Sequence, residues 1–107
     1  MIKPDFGAFP PGFESVYDDF EQCMFNAQYI NGSVLEPKAP EMLGFGQWYA
    51  GMDGNQAFFE IWHFSKESKE RIHRYLVDKQ VIQMVNDEPF FRTIPIRFRQ
   101  VRPGFYD

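Results

Sequence analysis

A chain of 107 residues suits one domain, residues 1–107, and can bury roughly 65% of its unfolded surface without metal or disulfide staples. Its net charge of −4 argues against nucleic-acid and anionic-membrane partners, and its single cysteine, Cys23, rules out an internal disulfide. The compositional oddity is aromatic: 13 Phe, 5 Tyr and 2 Trp supply more bulky apolar surface than a small core needs. That surplus thickens the core, lines a pocket, or covers an interface with a second copy of the chain.

Charge is also unevenly spread. Residues 1–60 hold nine acids against two bases, and residues 61–107 hold six acids against nine bases. A solvated surface or an oriented partner subunit accounts equally for that asymmetry. The opening residues lack the apolar core of a signal peptide, and no run approaches membrane-spanning length. A reducing cytoplasm is the expected location.

In chain order, "DFGAF" alternates as a short strand and "PPG" ends it. A first helix is expected from near Pro11, with Phe13, Val16, Tyr17, Phe20, Cys23, Met24 and Ala27 at helical spacing. Asn31-Gly32 is its expected stop. A proline-punctuated loop follows, and then two β-rich runs, "LGFGQWYAGM" and "QAFFEIWHF", joined by "DGN". Asp-Gly between apolar runs is a strong hairpin signal. A second helix starts after Ser65, a natural N-cap. Its inward stripe reads Ile72, Tyr75 and Leu76, continuing to Ile82 and Val85 past an irregularity near Asp78. "NDEP" closes it, and "IPIRFRQV" is the last strand.

The expected order is therefore βαββαβ. One antiparallel sheet with both helices on one face gives a ferredoxin-like α+β domain. The strands are apolar on both faces, so the face without helices is expected to meet a second subunit, sheet against sheet.

Few residues look chemical. In "FFEIWHFSKES", Glu60 and His63 invite reading as an acid–base pair, but a strand alternates its faces with period two. Glu60, Trp62 and Phe64 share one face; Phe59, Ile61 and His63 share the other. The two are therefore judged separately. Glu60 is read first as an ion-pair partner of Arg97, Arg99 or an arginine of a second subunit, against a catalytic base with raised pKa or a simply exposed carboxylate. His63 has a near-neutral intrinsic pKa suited to proton transfer, against the plainer reading of a hydrogen-bonded strand-end histidine. His73 borders the Ile72–Leu76 stripe, within reach of a pocket or simply at the surface. Arg97, Arg99 and Arg102 form a solvated or salt-bridged face, or clamp a ligand carboxylate through a planar guanidinium. Cys23 sits in an apolar helical context and reads as an inert thiol. Two histidines without a cysteine pair make a poor metal site, so neither metal nor haem nor any other cofactor is expected.

From Leu43 to Phe105 the pattern resembles the NIPSNAP-like members of the dimeric α+β barrel superfamily. The matching pieces are "LGFGQWYAGMDG", "FFEIWHFSKESKERIHR" and "IRFRQVRPGF". The resemblance implies a homodimer with a pocket between helices and sheet. Its expected lining is Tyr17, Phe20, Trp48, Tyr49, Phe58 and Trp62, with Arg97 as anion clamp. The functional expectation is binding of a hydrophobic small molecule of fatty-acyl, terpenoid or polyketide-like type. The alternative is a cofactor-independent monooxygenase, cyclase or isomerase. In that case His63 or His73 moves the proton, and Tyr49 or an arginine polarises an oxygen. A fold alone does not choose between the two.

Overall fold

Apolar residues spaced three and four apart build the first helix, α1 (Phe13–Ile30). In the computed structural model, which describes residues 5–30 and 45–102, its Phe13, Tyr17, Phe20, Met24 and Ala27 are buried. The segment before it departs from expectation. Residues 5–9 do not form a strand; Phe6–Ala8 make a single 3-10 turn. The Asp5 carboxylate accepts the Gly7 N–H at 3.0 Å, a local bond that competes with sheet pairing. In such a turn residues three apart fall on one side. Phe6 and Phe9 accordingly both reach Phe13. Gly12, at φ +83°, delays the helix start to Phe13. The expected stop at Asn31-Gly32 and the proline loop lie outside the described residues.

The hairpin read from "DGN" is present. β1 (Phe45–Asp53) pairs antiparallel with β2 (Gln56–His63), and Gly54 at the turn has φ +61°. After β2 comes α2 (Lys66–Asp78), started as expected by Ser65. Its cap is reciprocal. Ser65 Oγ accepts the Ser68 N–H at 3.1 Å, and Ser68 Oγ accepts the Ser65 N–H at 2.9 Å. Two free backbone donors are satisfied by two small hydroxyls.

The helix ends earlier than its apolar stripe suggests. The Gln80 N–H bonds to the Val77 carbonyl at 3.0 Å and the Val81 N–H to the Leu76 carbonyl at 2.9 Å, a Schellman ending. The left-handed position of that motif belongs to Gln80, at φ +60°. Ile82 is thus buried outside the helix, and Val85 lies on an exposed strand. Three short strands complete the chain: β3 (Gln83–Val85), β4 (Glu88–Phe91) and β5 (Ile94–Gln100). Asn86 and Asp87, both at positive φ, make the two-residue β3–β4 turn. "NDEP" is therefore a hairpin turn rather than a helix terminus.

The sheet order is β1-β2-β5-β4-β3, and β2 runs parallel to β5. A parallel neighbour requires a crossover, and α2 lies on that connection. The sheet is mixed, not wholly antiparallel, and it is open rather than closed into a barrel. The class is α+β, with two helices contributing to one core against one sheet face. At that coarse level it is consistent with a ferredoxin-like arrangement, while the element order among the described residues is αββαβββ. At the centre of the core Phe20 stacks on Phe59 at 4.0 Å and 3°. Phe91 meets both rings edge-on, tying α1, β2 and β4 together.

Gln80→Gly removes the steric penalty of a side chain at positive φ and is expected to stabilise the fold by about 1 kcal/mol. Urea denaturation of the two proteins, read as a midpoint shift at constant slope, checks this.

Candidate functional site

The pleat of β2 organises everything that looks like a site. Its burial alternates, with Ala57, Phe59, Ile61 and His63 buried beneath the helices. Phe58, Glu60 and Trp62 lie half-buried on the outer face. Glu60 and His63 are therefore separated by the sheet, as the strand period dictates.

Register extends the outer face across three strands. Tyr49 of β1 pairs with Glu60, Gly51 pairs with Phe58, and Arg97 and Arg99 of β5 pair with Glu60 and Trp62. The side chains form a lattice. Trp62 Nε1 donates to Glu60 Oε1 at 2.7 Å, and the Tyr49 and Trp62 rings lie 4.6 Å apart. The Arg97 guanidinium lies 3.8 Å from the Phe58 ring centroid, while its Nη2 pairs with Asp53 at 2.6 Å. The Arg99 guanidinium lies 5.2 Å from the Trp62 ring. A Cβ on Gly51 would sit 2.6 Å from the Phe58 ring, so any side chain there would displace that ring from its place beside Arg97. Glu60 thus takes its hydrogen bond from an indole, and Arg97 takes Asp53 as its ion-pair partner. Burial raises the Tyr49 phenol pKa, with Glu60 adding to the effect, so Tyr49 is a donor rather than a base at neutral pH.

On the helical side, His63 is only 4% exposed. Its Nδ1 lies 3.0 Å from the Ser65 carbonyl, which accepts and so fixes the proton on Nδ1. Burial lowers its pKa, the Ser65 carbonyl opposes that shift, and Lys69 adds to the lowering. His63 is thus a neutral, hydrogen-bonded residue at the joint between β2 and α2.

His73 lies on the flank of α2, with Nε2 3.2 Å from Met84 Sδ on β3. Between that flank and β3 runs an open groove of about 530 Å3. Lys66, Lys69, His73, Arg74, Val77 and Met84 are among its walls. Both histidines approach one ring, Phe98, at 6.1 and 6.0 Å between centroids.

The expected lining residues therefore divide. Tyr49, Phe58, Trp62 and Arg97 come together on the outer face. Tyr17, Phe20 and Trp48 are buried on the helical side, in contact with neighbouring rings. Tyr17 donates to Glu21 at 3.3 Å, and burial, then the Glu21 and Asp18 carboxylates, push its phenol pKa far up. The seven do not line one cavity, because the sheet stands between the two groups. Burial, with Asp19 adding, also raises the pKa of Cys23, in keeping with an inert thiol. The groove residues Lys66, Lys69, Arg74 and Met84 had no signal in the sequence. Their grouping depends on α2 ending at Asp78 and on β3 returning beside it.

Among the described residues, no three His, Cys, Asp or Glu side chains group as a metal site, and no helix is long and apolar enough to cross a membrane. Compared with protein-family models, curated proteins and solved structures, the chain matches none.

His63 couples folding to pH. The unfolded chain takes up a proton near 6.5, whereas the folded protein resists until lower pH. Its contribution is fully present above 6.5 and is lost as pH falls from there toward the folded pKa. Denaturation midpoints measured between pH 7.5 and about 5 should fall in the wild type. They should fall less in His63→Asn, which keeps a donor near Nδ1 and cannot titrate.

Proposed function

We propose that this chain is a homodimeric, non-catalytic binding protein for a hydrophobic small molecule, held in the groove between α2 and β3. The groove itself carries this reading. Its volume of about 530 Å3 falls within the ordinary range of small-molecule sites. It also lies between a helix and the sheet, the placement that the family resemblance implies. Stacked rings such as Phe20 on Phe59 fill the helix–sheet interior itself.

The partner is a second copy, seated on the outer sheet face. That face is half-buried and aromatic, and it carries Asp53 and Glu60 on β1 and β2 beside Arg97 and Arg99 on β5. A two-fold axis lying in the interface, parallel to the strands, sets one copy's β5 cations over the other's acids on β1 and β2, the self-complementarity an isologous dimer needs. The dimeric form of the NIPSNAP-like resemblance points the same way.

The enzymatic alternative has less support. His63 is buried with Nδ1 committed to a carbonyl. His73 contacts a thioether, which is a weak acceptor and no proton relay. Among the described residues, a base, an orienting group and an oxyanion donor do not converge.

Sedimentation equilibrium is expected to give about twice the 12.7 kDa chain mass, reduced to one chain by Arg99→Glu. A wild-type monomer at high micromolar concentration would remove the paired faces. Native mass spectrometry of the purified protein is expected to show a bound apolar compound that Val77→Arg, by filling the groove, displaces. An adduct retained in that variant places the ligand elsewhere.

A further inference from the structure

The groove is polar at one end and apolar at the other. Lys66 and Lys69 stand near the start of α2, Arg74 stands further along, and Val77 and Met84 lie toward its far end. None of the three cations makes an ion pair among the described residues. Lys69 instead lies 5.5 Å over the Phe98 ring, a contact an anion can share or replace. Helix polarity favours negative charge near the same end. At the other end Asp78 repels it. Three cations against the carboxylates of Glu70 and Asp78 leave one net positive charge in the groove, in a chain whose net charge is −4.

From this polarity we infer that the groove takes a long-chain monocarboxylate, its head toward Lys66 and Lys69 and its tail on Val77 and Met84. The inference rests on the groove being the ligand site and adds the ligand's charge and orientation. His73 assists by position, since its contact with Met84 holds the apolar wall of β3 against the helix. The cations recognise the headgroup; the tail is held by area rather than by shape. Chain length therefore tunes affinity gradually, by roughly fourfold per buried methylene.

The test uses the full-length protein carrying 13C-methyl methionine, with the Met84 resonance as a reporter inside the groove. Decanoate, decan-1-ol and decyltrimethylammonium are titrated separately below micelle-forming concentrations. The expected result is saturable movement of the Met84 methyl by decanoate, binding at least about tenfold weaker for the alcohol, and none for the ammonium. Lys66→Gln combined with Lys69→Gln should weaken decanoate about tenfold and leave the alcohol unchanged. Both side chains are exposed, so the variant is expected to fold. Raised salt should act in the same direction as the substitutions. Equal affinity for decanoate and decanol overturns the anionic headgroup and leaves the groove as an apolar site. A Met84 methyl indifferent to all three compounds overturns the groove as a ligand site altogether.

Discussion

Phe59 meets Phe20 face to face at 4.0 Å, and the rest of the molecule is arranged around that contact. Phe59 sits on β2, the strand that pairs with both β1 and β5. Phe13 approaches the same ring at 5.5 Å and Phe91 at 5.9 Å. One side chain therefore gathers α1, β2 and, through Phe91 on β4, the far half of the sheet. Losing a buried aromatic of this kind costs about 3–5 kcal/mol, a large share of a small domain's stability.

Fixing Phe59 inward fixes its neighbours outward, because β2 allows no other phase. Phe58, Glu60 and Trp62 are thereby committed to the outer face, and Ile61 and His63 to the core. A one-residue slip would exchange the two sets, carrying the Glu60 carboxylate into the core and Phe59 and Ile61 out of it. Packing on one side and the aromatic–arginine lattice on the other are two expressions of a single register. The crossover from β2 to β5 extends that phase, since Ile96 pairs with Phe59 and Arg97 with Glu60.

What could be read in advance follows from which signals are local. The α1 stripe, the Asp-Gly hairpin, the Ser65 cap and the opposed faces of Glu60 and His63 each depend on a few adjacent residues, and each is present. The early 3-10 turn escaped because "DFGAF" alternates like a strand while Asp5 bonds its own neighbour's backbone. The β3–β4 hairpin escaped because Gln80 occupies a position where glycine would have announced the end of α2. Parallel pairing of β2 with β5 is a non-local fact, invisible to periodicity. The candidate site suffered most. Tyr17, Phe20 and Trp48 carry the same composition signal as Tyr49, Phe58 and Trp62, and only the sheet's position tells the two groups apart.

Among the described residues, the left-handed non-glycine positions, Gln80, Asn86, Asp87 and Arg92, all fall between the end of α2 and the start of β5. There β3 is three residues long and exposed throughout. Backbone strain and thin burial coincide at this end of the sheet, whereas the Phe20–Phe59 stack anchors its middle. Local opening is therefore cheapest at the β3–β4 hairpin. The molecule is graded from a rigid centre to a yielding rim, and the wall of the groove is made from the rim.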